Sequence, residues 1–138
     1  MDKLSPEQRS KNMAAVKGKN TTPEIRVRRM LHKMGYRFRL HRKDLPGKPD
    51  IVLPRYRLCI FVHGCFWHQH PGCKRATIPD SNREFWVKKF QGTLERDEHA
   101  KKELAAQGWH ICIIWECETK NEALLSMSIQ RCMADIAA

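Results

Sequence analysis

The sequence predicts a fold of the α/β or α+β class, a central sheet flanked by helices. Three observations carry this. Leu58-Cys59-Ile60-Phe61-Val62 is a continuous apolar stretch of strand length, the pattern of a central strand covered on both faces, and Trp109 to Trp115 is a second central-strand run. Segments between and beyond them repeat apolar residues at helical spacing, and several open on a capping residue. The order that results is helix, helix, two or three strands, long helix, strand, helix, which fits sheet folds that gather ligands at strand ends. At 138 residues the chain can bury one core of its own, so a single domain over 1–138 is expected, without linker, internal repeat or low-complexity segment.

Taken in order, Ser5-Pro6-Glu7 is an N-cap followed by proline at the first helical position, opening a short helix to about Val16. Arg9, Lys11, Lys17 and Lys19 make residues 1–20 a basic arm. Met13 and Val16 stand three apart on one face of it, either to dock the arm onto the core or to touch a nucleic acid. Thr21 and Glu24 have the spacing of a capping box, and Val27, Met30, Leu31 and Met34 continue a helix to Gly35. Tyr36 to Leu40 alternates apolar and basic residues as a half-exposed strand does, and Asp50-Ile51-Val52-Leu53 follows the turn at Leu45-Pro46-Gly47-Lys48-Pro49. Ser81 and Glu84 suggest a further capping box on a helix through Phe85, Phe90, Leu94 and Leu104 to Gly108, with Gly92 a place where it could bend. Asp97 falls on the apolar side of that helix and so calls for a partner such as His, Arg or a metal. The last helix, from Asn121 to about Ile136, would bury Leu125, Ile129, Cys132, Met133 and Ile136.

Twenty-six Lys and Arg against fifteen Asp and Glu give a net charge of +11, which marks a polyanion partner, nucleic acid first. No apolar run reaches transmembrane length and the first residues lack the apolar stretch of a signal peptide, so a cytoplasmic protein is expected. In that compartment the six cysteines are not expected to form disulfides. Cys59, Cys112 and Cys132 lie in apolar patterns and are expected to be core thiols, whereas Cys65, Cys73 and Cys117 border polar or aromatic loop positions.

The densest chemistry is in His63 to Cys73, which holds three histidines, two cysteines and the pair Phe66-Trp67. Cys65-x4-His70-x2-Cys73, with Cys117 from the end of the later strand, has the composition of a closed tetrahedral zinc site; His68 could stand in for His70. Closed sites are structural, leaving the other histidines for other work. Phe66 and Trp67 suit stacking on bases or wedging between them, unless they are half-buried under the loop. Pro49-Asp50 followed by a hairpin return is how many DNA-cutting nucleases place a metal-binding carboxylate, although a turn aspartate looks the same. Where such nucleases carry Asp/Glu-x-Lys on the next strand this chain reads Phe61-Val62-His63, with neither acid nor lysine. In a nuclease, His63 would then have to help where the lysine does and a backbone carbonyl would supply the missing oxygen.

The block His63-Gly64-Cys65-Phe66-Trp67-His68 closely resembles the very short patch repair (Vsr) endonucleases. So do Asp50 in Leu45-Pro46-Gly47-Lys48-Pro49-Asp50-Ile51-Val52, Glu84-Phe85-Trp86, Glu95-Arg96-Asp97, and Trp109 with Trp115-Glu116-Cys117, in one register over about residues 8 to 118. The resemblance implies a restriction-endonuclease-like central mixed sheet flanked by helices, with a structural zinc loop. It implies an enzyme that nicks one strand of duplex DNA 5′ of the thymine in a T:G mismatch left by 5-methylcytosine deamination. It further implies that Asp50 and the main-chain carbonyl of Val62 hold catalytic Mg2+, expected as two ions. His68 would be the general base and Asp97 its orienting partner, with His63 and Glu24 supporting the metal-water cluster, and Cys65, His70, Cys73 and Cys117 would bind Zn2+. Phe66 and Trp67 would wedge beside the mismatch from the major groove, with Met13 and Val16 approaching from the minor groove. A monomer acting with other mismatch-repair proteins is expected. Two competing readings are a restriction-type endonuclease cutting matched DNA and a zinc-containing DNA-binding module without nuclease activity.

Overall fold

The computed structural model describes residues 20–137. The expected helix over 5–16, with Met13 and Val16, lies outside the described residues. Helix α1 spans Thr22–Lys33, and Thr21 caps it with a side chain that accepts from the Glu24 N–H at 3.4 Å. Only half of the expected capping box forms. The Glu24 carboxylate accepts instead from the Asn20 N–H at 2.9 Å, one residue before the cap. Gly35, at φ +86°, ends the helix in the left-handed conformation glycine accepts most easily.

Four strands follow in the order β1 (Arg39–Leu40), β2 (Ile51–Leu53), β3 (Leu58–His63) and β4 (His110–Trp115). The first two pairings are antiparallel and β3–β4 is parallel. A parallel neighbour needs a crossover, and helix α2 (Arg83–Ala106) supplies it. Helix α3 (Glu122–Ala137) closes the described chain. Strand β1 is shorter than the alternation suggested. Pairing begins only at Arg39, while Tyr36 and Phe38 pack against the core, Tyr36 edge-on to Tyr56 at 5.7 Å.

The continuous apolar reading of β3 holds because each face is covered by a different layer. Leu58 and Ile60 meet Val27, Met30 and Leu31 of α1 and Leu125 and Ile129 of α3 on one side. Cys59 and Phe61 meet Leu45, Val52 and Leu104 of α2 on the other. Fully burying a side chain such as Ile60 or Ile114 stabilises by roughly 1.5–3 kcal/mol. Strand alternation then carries His63 to the α2 side, in line with Cys59 and Phe61.

Three expectations need correction. Ser81 does not cap α2; Asn82 occupies that place at φ +56° without a side-chain bond to the helix. Phe85 and Leu94 are exposed rather than inward, and the buried stripe is Trp86, Phe90, Ala100 and Leu104. Those positions keep one helical face through Ala100, whose small side chain hides the pattern from a reading that counts large residues. Cys112 and Cys132 are joined as a disulfide rather than standing as core thiols, since α3 packs on β4 with their Cα atoms 5.8 Å apart. Cys59 is a buried free thiol, pushed up to about 12 by burial. No helix of the described residues is long and apolar enough to cross a membrane.

Candidate active site and metal centre

Where β2 begins and β3 ends, a cleft of about 1100 Å³ opens between the sheet, α2 and the start of α1. Glu24, Asp50, Val62, His63, His68 and Asp97 all line it. The turn that brings Asp50 there is pinned by Gly47, at φ +74°, where an added Cβ would lie 2.6 Å from that of Ala100 and 3.3 Å from the Phe61 ring. Asp50 Oδ2 accepts from the Val62 N–H at 2.8 Å. Burial pushes the Asp50 carboxyl up to about 7; the Val62 N–H and Arg28 oppose the rise and the adjacent Glu24 carboxylate adds to it. Glu24 is only 3% exposed. Arg28 Nη2 donates to it at 3.1 Å and His41 Nε2 lies 3.6 Å away.

A second group sits across the cleft. His68 Nδ1 is 2.7 Å from Asp97 Oδ2, and the His68 ring stacks on His63 with centroids 3.7 Å apart and planes 4° apart. Burial works to raise the Asp97 carboxyl, but its bond to His68 and the nearby positive charge hold it below the usual carboxylate range. An ionised Asp97 can only accept, so Nδ1 presents its hydrogen to Asp97 and Nε2 is the ring nitrogen left outside that bond. His63 is pushed down to about 4, first by burial and then by His68 against it.

The loop after β3 winds on itself through main-chain bonds, His68 N to Gly64 O at 3.1 Å and His70 N to Cys65 O at 3.0 Å. These turns bring Cys65, His70 and Cys73 to Cys117, which follows β4, with all four ligand atoms within 4.8 Å of one another. His70 Nδ1 is 3.6 Å from Cys65 Sγ and 3.5 Å from Cys117 Sγ, and the ring stacks on Trp115 at 4.1 Å. His70 rather than His68 therefore joins the thiols. Burial pushes Cys65 up to about 12 and also raises Cys117, while the Arg75 backbone N–H lowers Cys73. Three thiols and an imidazole at this spacing form an N/S set of the kind zinc takes, and a cation would favour the thiolates that burial disfavours.

Phe66 and Trp67 are half-buried. Phe66 packs edge-on to Trp86 at 5.6 Å and Phe90 at 5.2 Å of α2, and to Trp67 at 5.3 Å. They stand at the cleft mouth on an aromatic platform and belong neither to the core nor wholly to solvent.

The model of the family described as DNA mismatch endonuclease Vsr matches residues 1–75. A relative from Xanthomonas oryzae pv. oryzae, the type II nicking enzyme V.XorIIP, is 49% identical over 129 residues, covering 94% of each chain.

The chain belongs to the Vsr family of DNA endonucleases.

The DNA mismatch endonuclease Vsr of Escherichia coli is 40% identical over 118 residues, 86% of this chain and 75% of that protein. Among solved structures, the catalytic domain of the homing endonuclease I-Bth0305I superposes with a TM-score of 0.59 at 19% identity, covering 86% of this chain and all of that domain. The fold is thus restriction-endonuclease-like, a mixed sheet flanked by helices, as expected. Sequence reasoning gave no site role to several residues that surround this cleft, Trp86 and Trp115 figuring only within the family motifs. Trp86 under Phe66 could have been found from its four-residue spacing to Phe90. Arg28 and His41 around Glu24, and Trp115 against His70, depend on contacts between distant segments and leave no local signal.

Proposed function

We propose that this endonuclease nicks one strand of duplex DNA 5′ of the thymine in a T:G mismatch, using Mg2+ in the cleft and Zn2+ as a structural clamp. The observation that carries the reading is the meeting, in one cleft, of a carboxylate pair, the half-buried Asp50 and the buried Glu24, with an imidazole oriented through Nδ1 by Asp97. Phosphodiester hydrolysis needs both kinds of group.

Asp50 and the main-chain carbonyl of Val62 would hold the metal. In an extended strand a residue's N–H and C=O point to the same side, and the Val62 N–H already points at Asp50. The donor set fits a hard dication, because two carboxylates, the half-buried Asp50 and the buried Glu24, stand side by side in the cleft and the Glu24 charge disfavours that of Asp50. Bound there, Mg2+, expected as two ions, would supply Lewis-acid charge to the scissile phosphate. His68 Nε2 takes the proton of the attacking water as its oxygen bonds to phosphorus, and the P–O bond to the leaving sugar oxygen breaks, that oxygen taking up a proton from solvent water to become a hydroxyl. Asp97 fixes the tautomer, and His63 holds the ring plane by stacking. Cys65, His70, Cys73 and Cys117 would bind Zn2+, tying the loop that carries Phe66, Trp67 and His68 to the end of β4.

Phe66 and Trp67 would enter the stack from the major groove, and the basic arm with Met13 and Val16 would approach from the minor groove. A poorly stacked wobble pair costs less to distort than a matched pair, which favours the mismatch. The protein would act as a monomer in the cytoplasm on DNA that other mismatch-repair proteins also handle. The test is to incubate T:G and matched duplexes with Mg2+, with and without EDTA. A single nick beside the mismatched thymine, lost with EDTA, is expected. Equal cutting of the matched duplex would replace the repair reading with a restriction-type one, and no cutting would leave a DNA-binding module.

A further inference from the structure

The end of β3 reads Phe61-Val62-His63, so the strand that presents the metal site brings no cation to the phosphate. Phosphoryl transfer spreads negative charge over the non-bridging oxygens, and a fixed positive group there speeds the reaction. Among the described residues, three lysine or arginine side chains line the cleft: Lys48, Arg96 and Lys101. Arg96 is turned back on its own helix, donating to Thr93 Oγ1 at 3.3 Å. Lys48 stands on the exposed turn before Asp50.

Lys101 differs in placement. It lies four residues after Asp97 on α2, so one helical turn puts it on the same face as the partner of His68. It follows Ala100, the residue against which the Asp50 turn is seated. Its charge also reaches Asp97, helping to hold that carboxyl below its usual range. Its bond is to Glu98 Oε1 at 3.2 Å, in a pair whose side chains are 38% and 63% exposed. Such surface pairs contribute little, so the ammonium can exchange Glu98 for a phosphate oxygen.

We propose that Lys101 is a catalytic residue that contacts a non-bridging oxygen of the scissile phosphodiester and stabilises the charge developing there, the part a lysine on β3 would otherwise play. This rests on the nuclease reading of the cleft. Lys102 is the control, one position on, exposed and not part of the cleft lining, so that removing it changes net charge equally.

Single-turnover nicking of a T:G duplex by Lys101→Ala and Lys101→Gln is expected to fall about 10- to 100-fold, with Lys101→Arg retaining more and Lys102→Ala within about twofold of the parent. Melting temperatures should be unchanged. The slope of log Kd against log salt should drop by about one for Lys101→Ala. If Lys101→Ala and Lys101→Gln both nick as fast as Lys102→Ala, or if both lose rate only in step with lost folding, the proposal is overturned. If the parent protein nicks no duplex, it is the nuclease reading that falls, an outcome visible before any variant is compared.

Discussion

Replacing Asp97 by Asn removes one charge and leaves the side chain's size almost unchanged, so it isolates what the carboxylate does for His68. The bond is short, 2.7 Å, and both side chains are only partly exposed, 24% for His68 and 21% for Asp97. A charge-assisted hydrogen bond of this kind contributes roughly 1.5–3 kcal/mol. That support grows in importance as His68 becomes positive on taking a proton, so its loss should slow the chemical step by roughly 10- to 150-fold. If the Asn amide group turns its NH2 toward Nδ1, the tautomer reverses and Nε2 carries a hydrogen, bringing the loss toward the full value of general base catalysis, about 10⁴-fold. Single-turnover nicking of a T:G duplex with saturating protein reads the chemical step directly. Because Asp97 acts through His68, the double variant His68→Ala, Asp97→Ala should nick no more slowly than His68→Ala alone. An Asp97→Asn protein that folds and nicks within threefold of the parent would refute the reasoning, as would losses in the double variant that multiply.

Two other substitutions test the parts that hold the site. Cys73→Ser removes one member of the Cys65, His70, Cys73, Cys117 set; it should lower stability by about 3 kcal/mol or more, on the order of 10 °C in Tm, together with zinc content measured by elemental analysis. A fully stable, metal-free variant would remove the structural-zinc proposal. Gly47→Ala places a methyl 2.6 Å from the Ala100 Cβ at a φ of +74°, where neither the backbone nor another methyl can yield; denaturant unfolding should show a loss of roughly 2–5 kcal/mol. Gly35→Ala, at φ +86° with nothing within 4 Å, should lose only about 1 kcal/mol. Equal losses at the two glycines would contradict the close packing of the Asp50 turn on α2.

The central strands were legible because their signal is local: β3 is an apolar run buried on both faces, and in β4 Ile111 to Trp115 stay apolar although only Cys112 and Ile114 are fully buried. Helix α1 was legible for the same reason, from Thr21 to Gly35. Helix α2 was found but its inward face was misread, since Phe85 and Leu94 outweigh Ala100 by size while geometry favours Ala100. The Cys112–Cys132 bond depends on how α3 crosses β4, a tertiary fact that neither segment encodes alone. At the site, the clustering of Cys65, His70 and Cys73 could be read from their spacing, and the structure brings Cys117 to them and turns His68 away to Asp97. Arg28, His41 and Lys101 escaped attention because a charged residue on a basic protein has no distinguishing mark until its neighbours are known.

The most direct test of the cleft as the place of catalysis is to measure nicking and mismatch binding on the same Asp50→Ala preparation. Nicking of the T:G duplex should disappear while binding stays within about tenfold of the parent, because the substitution removes chemistry more than contact. A folded Asp50→Ala protein that nicks at the parental rate would contradict the assignment of this cleft.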